Sequence, residues 1–94
     1  MPRERRLRVP DDVVLLLREM HPGLRRKLRA ALEEIARDPS VGDALRDELA
    51  GLMRLRVGRL RIVYRIRARV IDVVAIGPRA TIYEEIKARQ REKR

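Results

Sequence analysis

Arg54, Arg56 and Arg61 lie close together in a stretch where apolar and charged residues alternate. Guanidinium groups are planar forks of donors that match phosphate oxygens two at a time, and they keep their charge at any physiological pH. Three of them on one surface would grip a phosphate and stabilise charge developing on it, but they would not move protons. Further along, Arg79 and Tyr83 are four residues apart, a spacing that puts two side chains on one side of a helix. Cationic neighbours favour the ionised form of a phenol, which makes Tyr83 a candidate proton acceptor. Each residue also has an ordinary reading. Long charged side chains usually coat a solvated face, and a single tyrosine often fills a core or an interface.

The strands that carry these residues bear on the choice. From Met53, apolar residues recur at every second position: Met53, Leu55 and Val57, then Leu60, Ile62, Tyr64 and Ile66. The pattern predicts strands over 53–57, 60–67 and 70–76, joined by two-residue turns at Gly58-Arg59 and Ala68-Arg69. The first turn sets Val57 against Leu60, Arg56 against Arg61 and Leu55 against Ile62. The second sets Arg65 against Asp72, Tyr64 against Val73 and Val63 against Val74. Both turns yield the same partition. Leu55, Val57, Leu60, Ile62, Tyr64, Ile66, Ile71, Val73 and Ala75 form a core face. Arg54, Arg56, Arg61, Arg65 and Asp72 share the other face with Val63, Val74 and Ile76. Arg65 has Asp72 as a partner and takes a structural role. Arg56 and Arg61 are like charges directly opposite, an arrangement that cross-strand pairs normally avoid.

The remaining elements must cover both faces. Residues 7–9 predict a short edge strand, stopped by Pro10. Asp11 or Asp12 then caps a helix carrying Val13, Leu16, Leu17 and Met20. His21-Pro22-Gly23 breaks it, with His21 capping or on the surface and Pro22 opening a second helix. In that helix Leu24, Leu28, Ala31, Leu32 and Ile35 form one stripe, and Asp38-Pro39-Ser40 ends it. This helical hairpin covers the core face. Residues 40–52 read as a connector with one helical turn around 44–49. Gly77-Pro78 ends the sheet. Thr81 caps a last helix with Glu84 three residues on, and Ile82 and Ile86 make that helix a lid over the apolar part of the basic face. The expected fold is α+β in the order β-α-α-β-β-β-α. An N-terminal strand and helical hairpin pack on a small twisted antiparallel sheet, in a single domain over 1–94 with a frayed basic tail from about 88 to 94.

Charge narrows the partner. The 94 residues hold 24 Lys and Arg against 14 Asp and Glu, a net of +10. Residues 1–50 carry 11 basic and 10 acidic side chains, and residues 51–94 carry 13 and 4. The excess therefore sits in the half with the arginine strands and implies an anionic partner. Of the basic residues 21 are Arg; a GC-rich genome would account for Arg over Lys, but not for that segregation. With two tyrosines and no Phe or Trp, stacking platforms for single strands are nearly lacking. No cysteine and one histidine argue against a disulfide or zinc site. No cofactor is expected. The acidic pairs at 11–12, 33–34 and 84–85 sit at helix starts or on helix faces and do not read as a metal cluster. There is no Gly-rich phosphate loop and no nucleophile elbow. The longest apolar run, Val13 to Leu17, is far too short to span a bilayer. The N-terminus shows no signal peptide, which predicts a cytoplasmic protein with no membrane partner.

Leu49 to Tyr64 resembles the L-x-G-x-x-R-x-R-V-G-x-x-R-I-x-Y core of RelE/ParE-type toxins. Ile76-Gly77-Pro78-Arg79, with Ile82-Tyr83 after it, is similar to the ending of the RelE branch, and the resemblance extends over residues 6 to about 88. It implies a bacterial type II toxin held inactive in a hetero-oligomer by an antitoxin. For the RelE branch it implies a metal-independent endoribonuclease that cuts mRNA on the ribosome, leaving a 2′,3′-cyclic phosphate and a 5′-hydroxyl. By motif, Arg54, Arg56, Arg61, Arg79 and Tyr83 occupy the catalytic positions. The best-known RelE members have lysine at the first two, and arginine, unable to give up its proton, excludes Arg54 as general base. That leaves Tyr83, an rRNA group, or catalysis by positioning and charge. Two other functions fit the same fold: a ParE-type DNA gyrase poison, which generally lacks the Arg79…Tyr83 combination, and a non-catalytic RNA-binding module. The antitoxin is expected across the basic face, displacing the last helix or shielding the arginines.

Overall fold

The computed structural model describes residues 5–92. In chain order it forms β1 (Arg6–Arg8), α1 (Asp11–Glu19), α2 (Pro22–Arg37), β2 (Asp43–Ala44), β3 (Met53–Val57), β4 (Leu60–Arg67), β5 (Val70–Pro78) and α3 (Arg79–Glu92). The sheet runs β1-β5-β4-β3-β2. The helical hairpin of α1 and α2 covers one face and α3 the other. Among the described residues no helix is long and apolar enough to cross a membrane.

Local chemistry explains the helix boundaries. Pro10 holds the N-cap position of α1 with no side-chain cap. Asp11 and Asp12, expected as caps, instead lie inside the first turn, where carboxylates complement the helix dipole. His21 caps α2: its Nδ1 accepts from the Gly23 amide at 3.1 Å, with Pro22 as the first helical residue. Asp38 ends α2 and accepts from both the amide and the hydroxyl of Ser40. Those two bonds lower the Asp38 pKa.

Four sequence expectations are corrected. The sheet is not wholly antiparallel, because β1 pairs in parallel with β5. No short turn links these two strands, so none dictates their direction. The connector holds two single 3₁₀ turns, 39–41 and 47–49, with the two-residue strand β2 between them, rather than one helical turn. β5 continues through Pro78 and α3 starts at once at Arg79, which puts Thr81 within the first helical turn rather than at the cap. Residues 88–92, expected to fray, continue α3; Lys93 and Arg94 lie outside the described residues.

The register carries a further correction. β3 and β4 pair as the turn requires: Val57 with Leu60, Arg56 with Arg61, Leu55 with Ile62. β4 and β5 also begin as expected, with Arg65 opposite Asp72 and Tyr64 opposite Val73, but Val63 pairs with Ala75 rather than Val74. Val74 is the extra residue of a β-bulge, and one inserted residue moves every later side chain to the other face. Ala75 therefore turns from the hairpin core to the side under α3, and Ile76 turns the other way. The outcome suits the packing. Ile76 joins the core of Leu28, Leu32, Ile35, Ile62 and Tyr64 beneath the hairpin. The small Ala75 sits with Val63 beneath Ile82 and Ile86 of α3. Those two isoleucines are fully buried, as the lid expectation requires. Ile66, expected in the core, is 40% exposed, because it lies near the open end of β4.

Candidate active site

Arg54 and Arg56 alternate with core residues on β3, and Arg61 lies opposite Arg56 on β4. Arg54 pairs with Val63, which packs under α3. The three arginines thus belong to the α3 side of the sheet. Arg61 is paired on its other side with Gly77, one residue from the Pro78–Arg79 junction where β5 becomes α3. Arg79 is the first, exposed residue of α3, and the half-buried Tyr83 follows one turn later. Arg54 touches Tyr83, Arg56 faces Arg61, and Arg61 lies beside Gly77, two residues before Arg79 opens α3.

Their environments differ sharply. Arg56 and Arg79 are exposed. Arg61 is only 8% exposed, and its Nε is buried with no hydrogen-bond partner. Arg54 is held from two directions: Nη2 lies 3.3 Å from Asp43 Oδ2, and Nη1 donates to the Tyr83 oxygen at 3.4 Å. The Arg54 Nε is buried and without an acceptor. The bond to Tyr83, and then that to Asp43, tighten the hold of Arg54 on its proton and offset the effect of burial. Arg54 is therefore a permanent cation in contact with the Tyr83 oxygen.

Three features here oppose ordinary stability. Arg56 and Arg61 repel across the strand pair. A buried guanidinium nitrogen without an acceptor costs about 1–3 kcal/mol. Arg79 stands at the positive end of the α3 dipole, with no acidic residue in the first turn to compensate, the reverse of the favourable order. One ligand would relieve all three: an anion between the arginines and the start of α3, where the helix dipole adds its own attraction.

Two details of charge pairing were not legible in the sequence. The Arg54 partner Asp43 comes from β2, a strand of two residues, too short to leave a periodic signal. Asp72, opposite Arg65, gives its carboxylate instead to Arg67 Nε at 3.0 Å. Arg67 is two residues further along the same face, within diagonal reach of a long side chain. A cleft of about 790 Å³ opens at the far end of α3, near Arg8, Arg65, Arg67 and Arg89. Two of its arginines are already neutralised, Arg67 by Asp72 and Arg89 by Asp12, and it lies away from Tyr83.

Residues 22–83 match the family model of the ParE toxin of the type II toxin–antitoxin system parDE. The chain belongs to the RelE/ParE superfamily of type II toxins. Among curated proteins none matches it in sequence. The solved structures it resembles include RelE proteins and their antitoxin complexes. A chain of the RelBE2 toxin–antitoxin complex of Mycobacterium tuberculosis is 29% identical, with 81% of this chain and 99% of that one aligned at a TM-score of 0.65. A mutant of the Escherichia coli toxin RelE in the free state is 19% identical, with 93% and 97% aligned at 0.73. The archaeal RelE–RelB complex of Pyrococcus horikoshii gives 22%, 86% and 99%, and 0.68. The RelE-like toxin fold has the element order predicted from the sequence.

Proposed function

We propose that this toxin is a ribosome-dependent mRNA endoribonuclease. The observation that carries the reading is Arg61, nearly buried and with its Nε lacking an acceptor, between Arg56 and the start of α3. The 2′-oxygen of a nucleotide attacks the adjacent phosphorus, the bond to the 5′-oxygen breaks, and a 2′,3′-cyclic phosphate and a 5′-hydroxyl remain. Arg56 and Arg61 stabilise the doubly charged phosphorane; preorganised donors of this kind contribute about 3–4 kcal/mol each. Tyr83, whose oxygen accepts from Arg54, takes the 2′-proton. Arg79 stabilises the departing 5′-oxygen, which takes its proton from water. An antitoxin, as in the RelB–RelE complexes, silences the protein by covering the arginines or lifting α3. That helix is fastened by Ile82, Ile86 and the Arg89–Asp12 ion pair at 2.9 Å.

The match to the ParE toxin model keeps a second reading in play, that of a ParE-type DNA gyrase poison with no nuclease chemistry. Sequencing the 5′ ends of cellular RNA after induction separates the two. The nuclease reading predicts codon-aligned cuts in translated messages. Intact messages together with accumulated gyrase–DNA cleavage complexes would establish the second reading instead.

A further inference from the structure

The Arg54–Tyr83 contact depends on a residue outside the arginine strands. We propose that Asp43 is a positioning residue of this site, holding Arg54 so that its guanidinium stays against the Tyr83 oxygen. The inference rests on the nuclease reading for its catalytic consequence, though not for its geometry. A guanidinium group has five N–H donors and no acceptor, so its orientation is set by the acceptors around it. Arg54 has two, Asp43 Oδ2 on Nη2 and the Tyr83 oxygen on Nη1. With the carboxylate gone, one weak bond of 3.4 Å would have to hold a long, flexible side chain beside a polyanion that competes for it. Arg54 would turn to the phosphate, and the Tyr83 oxygen would lose its donor.

Asp43 is itself fixed from beneath. The Tyr64 hydroxyl donates to the Pro39 carbonyl at 2.6 Å and accepts from the Gly42 amide at 3.1 Å. It thereby pins the segment that leads into β2. Gly42 fits there because it has no side chain: a Cβ would stand 2.7 Å from the Arg54 carbonyl oxygen and collide with the Tyr64 hydroxyl. β2 then pairs Asp43 directly with Arg54. One buried phenol thus sets the backbone, the backbone aims a carboxylate, and the carboxylate aims the arginine that supports the second phenol.

Charge alone predicts the opposite of positioning, which makes the proposal testable. Removing an acidic group beside a polyanion site strengthens binding. Asp43→Asn should therefore bind programmed ribosomes as tightly as wild type or more so, while the cleavage rate of the bound complex falls roughly tenfold. The Asp43 side chain is 69% exposed, so folding should be unaffected. Asp43→Glu, which keeps the charge, should recover most of the rate. Glu48→Gln, which removes an exposed carboxylate elsewhere, should leave it unchanged. Hydrogen exchange at the buried Arg54 Nε, followed by NMR on the free protein, gives a readout independent of activity. Exchange should accelerate in Asp43→Asn and slow again in Asp43→Glu. Unchanged exchange, or an unchanged cleavage rate, would overturn the proposal. A wild-type protein that binds ribosomes and cuts nothing overturns the nuclease reading, and the exchange measurement still decides whether Asp43 holds Arg54.

Discussion

Arg61 as a whole residue is 8% exposed, and its buried Nε lacks any acceptor, an arrangement that costs the fold stability. Replacing such a group with an apolar residue of similar length often stabilises a protein. Arg61→Met should raise unfolding stability by about 1 kcal/mol in urea titrations, while cleavage falls at least about a hundredfold. Loss of stability together with activity would make Arg61 a structural residue. Tyr64 offers the contrasting case of a buried polar group that is fully used. Burial raises its pKa above the usual 10, since the neutral phenol is the form the core accepts. The stability from this shift is complete below about pH 10, the value in the unfolded chain, and is lost as pH rises through the higher folded value. Urea titrations at pH 8 and pH 11 should show wild type losing more stability than Tyr64→Phe. At pH 8 Tyr64→Phe should itself be weaker by about 1–2 kcal/mol, because the Pro39 carbonyl and Gly42 amide lose their partner. The arginine positions were readable because like charges placed opposite each other are rare. The burial of Arg61 was not, because it depends on how closely α3 descends on the strand.

At the scale of elements, the two hairpin turns show why register was legible and where it stopped being so. Two-residue loops fix pairing near the turn, and the pairs next to each loop formed as expected. The bulge at Val74 left no mark, since Val73, Val74, Ala75 and Ile76 are all apolar and either alternation satisfies them. Only the shape of the α3 underside selects Ala75 for the helix side and Ile76 for the core. The start of α3 was misplaced for a related reason: the capping pattern at Thr81 and Glu84 is real in sequence, yet β5 runs straight into the helix and needs no cap there. The second turn also carries a strained residue. Ala68 has a φ of 47°, in the left-handed region that costs a non-glycine residue about 1 kcal/mol or more. Ala68→Gly should stabilise the protein by up to about 1 kcal/mol in thermal or urea unfolding. A destabilised variant would show that the loop gains more from the alanine methyl than it loses in strain.

For the whole molecule, the imbalance of charge between the two halves becomes a division of labour. The half with little net charge supplies the hairpin that closes the core and the two short edge strands, and the basic half forms the three long strands and the lid that carry the arginines. A surface of this kind binds RNA by displacing counterions, so affinity should fall log-linearly with salt. Arg56→Gln, an exposed site arginine, should lessen that slope by about one unit of released charge. A slope identical to wild type would remove Arg56 from the phosphate contacts. The most direct test of the account supplies purified toxin with ribosomes programmed with a defined message and determines the chemistry of the ends produced. The account predicts 5′-hydroxyl and 2′,3′-cyclic phosphate ends with wild type, and none with Arg61→Met or Tyr83→Phe at equal ribosome occupancy. Intact message in the wild-type reaction, or equal cleavage by all three proteins, would contradict it.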